Sequence, residues 1–122
     1  MAKYSFDHIH LMSPDPVKTA EFYQKMFNAA LLSSRDFGNG GVVVHLKLDG
    51  VIILISRTAA DGQNGLVHFG VRTDNLEEAV AELKGKGAVF TRDITRINPQ
   101  LRISFVDGPE AVPIEVQEGG IQ

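Results

Sequence analysis

Three side chains of this 122-residue chain, His8, His68 and Glu115, have the types that a divalent cation prefers, and each lies in a short run of alternating apolar residues far from the others. Two imidazoles and one carboxylate bind such an ion on one side and leave its other coordination positions to water or substrate, an arrangement suited to iron(II), manganese or cobalt. An ion held in that way stabilises negative charge developing on an enolate, alkoxide or catecholate oxygen. A lone histidine on a strand is more often structural than a ligand, and Glu115 by itself would read as a solvated charge. Repetition sets these residues apart. Asp7-His8-Ile9-His10-Leu11 and Val67-His68-Phe69-Gly70-Val71 place His8 and His68 60 positions apart, close to half the chain. Each run then leads into a helix start, at Pro14-Asp15-Pro16-Val17 and at Asp74-Asn75-Leu76-Glu77. His10, two residues beyond His8 and on the same side of its strand, is the alternative ligand.

The elements that must position these groups repeat as well. Tyr4 to Met12 alternates as a strand, with Phe6, Ile9 and Leu11 as the apolar set nearest the helix and His8, His10 and Met12 pointing the other way once the strand is under way. Asp15 is a good N-cap and Pro16 a good first helical residue, and Val17, Ala20, Tyr23 and Phe27 form an apolar stripe on a helix ending near Asn28. Leu31 to Phe37 and Gly41 to Asp49 read as strands around Gly38-Asn39-Gly40-Gly41. Val51 to Ser56 follows the strong hairpin signal Asp49-Gly50. Arg57 to Gly65 has linker composition and reads as a hinge. The second half restarts at Leu66 to Thr73. A capping box at Asp74 and Glu77 and the stripe Leu76, Ala79, Val80, Leu83 predict a helix ended by Gly85 and Gly87. Ala88 to Ile94, Leu101 to Val106 and Val112 to Gln117 supply three more strands. The expectation is an α+β fold of two βαβββ modules, about 1–57 and 66–122 with a linker at 58–65, forming one domain whose curved mixed sheet makes a cup. Alternation sends His10, Met12, His45, Lys47, Arg72, Arg102, Ser104 and Gln117 to the cup face. Of these, His10, His45, Arg72, Arg102 and Ser104 are the expected substrate contacts, with salt bridging as the alternative role for the two arginines.

Composition narrows the function. A net charge of −3 with a pI near 5.7 gives no field for a polyanion, and 7% aromatic residues give no stacking platform, so nucleic acid is not an expected partner. With no cysteine there is no disulfide, thiolate nucleophile or sulfur-ligated metal. No apolar run approaches the length of a membrane span, and Met1-Ala2-Lys3-Tyr4-Ser5 lacks the apolar centre of a signal peptide, so no membrane association is expected and the expected location is the cytoplasm.

Asp7-His8-Ile9, Asp15, Phe22-Tyr23, His68 with Val71, Thr73-Asp74-Asn75-Leu76, and Gly108 through Glu115 together resemble the vicinal oxygen chelate superfamily of glyoxalase I, bleomycin-resistance proteins, fosfomycin-resistance thiol transferases, methylmalonyl-CoA epimerase and extradiol dioxygenases. The resemblance spans about Phe6 to Gln117. It implies paired βαβββ modules, a homodimer with its site between paired modules, and one divalent ion (Fe2+, Mn2+, Ni2+ or Zn2+) on His8, His68 and Glu115. Glu115 is also the expected catalytic carboxylate. Glyoxalase I carries a fourth ligand on the last strand of the first module, where this chain has Ile53 or Leu54, neither able to bind metal or carry a proton. The expected function is thus a metal-dependent small-molecule enzyme, of extradiol-dioxygenase, lyase or transferase type rather than a four-ligand glyoxalase, acting on a substrate that chelates through vicinal oxygens. The alternative is a metal-free, bleomycin-resistance-like binding protein.

Overall fold

A computed structural model describes residues 2–38, 41–60 and 62–120 of the chain. Its elements run β1 Ser5–Ser13, α1 Pro16–Phe27, β2 Ala30–Asp36, β3 Val42–Leu48, β4 Val51–Arg57, β5 Gly65–Arg72, α2 Leu76–Gly85, β6 Phe90–Asn98, β7 Leu101–Asp107 and β8 Pro113–Gly119, with a 3-10 turn at Pro109–Ala111 before β8. The order is βαβββ twice over, the α+β class expected. No helix among the described residues is long and apolar enough to cross a membrane.

Two compact units divide the chain. One is His8–Val67, and the other joins Met1–Asp7 to His68–Gln122. In the first unit the strand order is β2-β3-β4-β1, with β1 parallel to β4 and the rest antiparallel. In the second, β5 runs parallel to β8, and β8, β7 and β6 continue antiparallel. The opening residues of β1, up to Asp7, belong to the second unit.

Local chemistry explains the elements. The Asp15 carboxylate accepts from Lys18 N at 3.1 Å and Pro16 opens α1, while Asn28 closes it in the left-handed region at φ 59°. Asp49 and Gly50 both take positive φ, 48° and 83°, which fits a two-residue hairpin between β3 and β4. The cap of α2 differs from expectation. Asn75, not Asp74, accepts from Glu78 N at 3.0 Å, because the helix begins at Leu76 and the capping residue must stand immediately before it. Of the turn expected at Gly38-Asn39-Gly40-Gly41, Asn39 and Gly40 lie outside the described residues.

The core of the first unit is Ala20, Ala29, Val44, Leu46, Ile53 and Ile55, closed by Ile9, Leu11, Tyr23, Val42 and Leu48. That of the second is Leu76, Ala79 and Val116, with Ala2, Val80, Leu83, Ile94 and Val106 against it. The α1 stripe is narrower than its periodicity predicts. Ala20 is buried, but Val17 and Phe27 are exposed, because a short helix on a four-stranded sheet buries only the residues nearest the strands. The Arg96 to Arg102 stretch is strand on both sides of a tight Pro99-Gln100 turn. Gly120 N donates to Gln100 O at 2.9 Å, and a Cβ on Gly119, at φ +86°, would stand 1.8 Å from that same oxygen. The turn is clamped to the end of β8.

Candidate metal centre

In the second unit the site begins with strand register. Gly70 of β5 pairs in parallel with Glu115 of β8, so Glu115 and His68, two residues before Gly70, project from the same side. Their donors, His68 Nε2 and Glu115 Oε2, stand 3.7 Å apart on side chains only 9% and 13% exposed. That distance is too long for a hydrogen bond. Two donors each about 2.1 Å from a common ion lie at most about 4.2 Å apart, so the spacing suits a pair of metal ligands. Phe105 stands edge-on to the His68 imidazole, ring centroids 5.1 Å apart and planes at 87°, which limits rotation of that ring.

Arg72 holds the start of β1 to this unit. Its Nη2 lies 2.6 Å and its Nε 2.9 Å from Asp7 Oδ1, and both side chains are largely buried. Phe6 stacks on Phe69 with ring centroids 5.9 Å apart. The residue that follows Asp7 on the same strand is His8, itself buried. His68 and Glu115 lie in the second unit and His8 opens the first, each offering one donor of a kind that could hold a metal ion. Imidazoles with a carboxylate and no thiolate match a borderline or harder divalent ion.

In the first unit, Ile9, Leu11, Ile53, Ile55, Val44 and Leu46 turn to α1, so His8, His10, Met12, Leu54 and His45 occupy the opposite side. His10, Leu54 and His45 form one row across β1, β4 and β3. His10 Nε2 shares a 2.6 Å hydrogen bond with Ser56 Oγ, and His45 Nδ1 one of 3.3 Å with Ser33 Oγ. Burial, with smaller contributions from His8 and His45, pushes the His10 imidazole down to about 4. Burial lowers His45 too, with His8 and Arg35 adding to it. The register also settles which β4 residue corresponds to Glu115. His10 pairs with Leu54 as Gly70 pairs with Glu115, so the counterpart is Leu54 and not Ile53.

Two expected substrate contacts lie elsewhere. Ser104 pairs with Val116, which faces α2; its hydroxyl is buried and donates to Val116 O at 3.3 Å. Arg102, on the same side of β7, donates from Nη1 and Nη2 to Glu77 of α2 at 2.5 and 2.8 Å, and from Nη2 to Glu118 at 2.7 Å. Glu118 Oε1 in turn accepts from Leu76 N at 3.1 Å, tying the start of α2 to β8. Alternation separates the two sides of β7 without saying which faces the helix, and pairing with β8 decides it. The residues on Glu115's side of β7 are Ile103 and Phe105. Phe105 went unnoticed in the sequence, where an aromatic residue in an apolar strand carries no signal of its own. Arg72 takes the salt-bridging role, with Asp7.

Comparison with known proteins places this geometry in context. The model of the glyoxalase/bleomycin resistance protein/dioxygenase superfamily matches residues 5–116. None of the curated proteins compared with the chain matches it. Among solved structures, a hypothetical protein of Bacillus halodurans superposes with a TM-score of 0.80 at 18% identity, over 98% of this chain and 97% of that one. Methylmalonyl-CoA epimerase from Mycobacterium tuberculosis gives 0.75 at 18% identity, over 95% and 88%. A Streptomyces coelicolor methylmalonyl-CoA epimerase variant in complex with 2-nitronate-propionyl-CoA gives 0.70 at 21%, over 95% and 97%. All share the α+β fold of two βαβββ modules.

Proposed function

We propose a function from one premise: the chain belongs to the glyoxalase/bleomycin resistance protein/dioxygenase superfamily. On that premise it is a divalent-metal enzyme acting on a small molecule, with His8, His68 and Glu115 as its protein ligands. The observation that carries this reading is the His68–Glu115 pair, two donors 3.7 Å apart on neighbouring parallel strands. The place of His8 is supported by its burial, by the anchoring of Asp7 beside it, and by the match of its strand to β5 at an offset of 60.

A divalent ion at these residues supplies Lewis-acid stabilisation of charge developing on a substrate oxygen. Leu54, standing where Glu115 has its counterpart, leaves three protein ligands and more open positions for a substrate with two adjacent oxygens. The methylmalonyl-CoA epimerase neighbours favour proton transfer at a carbon next to a carbonyl over ring cleavage with dioxygen. In that chemistry the imidazoles of His10 and His45, on the side of β1 and β3 that His8 occupies, contact the substrate, and Glu115 is the proposed catalytic carboxylate. A homodimer is proposed on the exposed Phe22, Met26 and Phe27 of α1, an apolar group that a second copy would cover. The cytoplasm is the proposed location.

Elemental analysis of protein purified without chelator, beside His68→Ala and Glu115→Ala, tests the centre. About one divalent ion per chain, lost in both variants, is expected, with unchanged far-UV circular dichroism showing that the fold survives. Protein that arrives empty and takes up no Fe2+, Mn2+, Ni2+ or Zn2+ on titration would overturn the enzyme reading in favour of a metal-free binding protein.

A further inference from the structure

On the α2 side of the second unit lies a hollow of about 300 Å3 lined by Tyr4, Val71, Leu83, Val106, Ile114 and Val116. Its lining is apolar, the Tyr4 hydroxyl being turned away to Glu82, to which it donates at 2.5 Å. Ala2 N donates to the other Glu82 oxygen at 3.2 Å, so the chain start lies against α2 at the rim.

Comparison with the first unit explains the hollow. Equivalent pairings give the matching positions: Leu46 pairs with Ile53 as Val106 does with Ile114, and Val44 with Ile55 as Ser104 does with Val116. Leu11 pairs with Ile55 as Val71 does with Val116. The second unit therefore has Val71 for Leu11, Leu83 for Tyr23, Ser104 for Val44, Val106 for Leu46 and Val116 for Ile55. Each is smaller or less apolar. Phe69 for Ile9, Val80 for Ala20 and Leu76 for Pro16 are larger, but the Phe69 ring stacks on Phe6 and neither Val80 nor Leu76 lines the hollow. The hollow lies where these smaller side chains stand.

We infer that this hollow is a second binding site, for a small uncharged hydrocarbon-like molecule such as a monocyclic aromatic or a short alkyl compound. An enclosed apolar cavity of about 150 Å3 takes a benzene-sized guest, and this hollow, partly open to solvent, has room for one at about 300 Å3. With no polar partner to offer water or a charged group, the site selects by size and by lack of charge. The six lining residues exclude Glu115 and His68, so occupancy does not require the metal centre.

The test uses toluene as the probe and benzoate as its charged counterpart, followed by methyl NMR on the full chain. Toluene is expected to shift, saturably, the methyl signals of Val71, Leu83, Val106, Ile114 and Val116, and benzoate to leave them unchanged. Val106→Leu, which restores the side chain found at the matching place in the first unit, is expected to weaken toluene binding at least about tenfold. Leu83→Phe fills the hollow from the helix side and gives the same readout should Val106→Leu fail to fold. Absence of saturable shifts, shifts scattered away from the hollow, or toluene affinity unchanged in a folded filled variant would overturn the inference.

Discussion

The two modules share an element order but are held together by different means. The first relies on close apolar packing: Val44, Leu46 and Ile55 are at most 1% exposed and meet Ala20 of α1 directly. The second has a smaller core, a hollow beside it, and polar ties of its own. Arg102 joins Glu77 and Glu118, Glu118 reaches the start of α2, and Arg72 grips Asp7. Duplicated topology thus fixes backbone pairing without fixing what stabilises it. The polar ties also do something a filled core does not, since the Arg72–Asp7 pair sets the residue immediately before His8.

Cavity-creating substitutions at matched positions test this contrast most directly. Leu46→Ala, at a site with no exposure, should cost on the order of 4–5 kcal/mol, and Val106→Ala, beside an existing hollow, about 1–2 kcal/mol, both read from urea unfolding. Equal losses would mean that the second core is as tightly filled as the first. Next in size, Asp7→Ala removes the carboxylate that holds the Arg72 guanidinium and should cost about 1–3 kcal/mol. Metal titration of the same variant should show weaker binding, because the anchor beside His8 is gone. Filling is the reverse experiment: Val106→Leu should stabilise by up to about 1 kcal/mol, whereas Leu46→Phe in the first module should destabilise by about 1–3 kcal/mol.

What could be read from the sequence follows the same division. The repeat at His8 and His68, the Asp15-Pro16 helix start and the Asp49-Gly50 hairpin are local signals, and the structure has β1, β5, α1 and the β3–β4 turn where they indicate. The pairing of His68 with Glu115 was legible because both lie on alternating strands whose order the repeat supplies. Ser104 and Arg102 were assigned to the wrong side of β7 because alternation has two phases, and only the pairing of Ser104 with Val116 selects one. The Asp7–Arg72 tie was illegible for another reason. Ion-pair partners 65 residues apart are chosen by tertiary placement, and an arginine among several acidic residues does not announce its partner. The hollow was hidden because it arises from differences between modules that no single segment displays.

The smallest effect concerns the chain start at the rim of that hollow. Desolvation, reinforced by the hydrogen bond and the charge of Glu82, raises the Tyr4 hydroxyl to about 12, while the bond from Tyr4 is the main cause of the lowered Glu82 carboxyl. A raised tyrosine favours the folded state with its proton on, so its contribution is full below the ordinary value of 10 and is lost as pH rises through about 12. The Glu82 contribution runs the other way, present above the ordinary 4.5 and lost as pH falls through its lowered folded value. Between these limits the tie is intact, and over neutral pH its strength should not vary. Absorbance titration at high pH should therefore show a late phenolate step that disappears in Tyr4→Phe. The same variant should leave stability nearly unchanged, since the tie is exposed to solvent. It should nevertheless release toluene faster, because the rim is no longer pinned to α2. Unchanged release would show that guests enter the second module by another route and that the chain start takes no part in closing it.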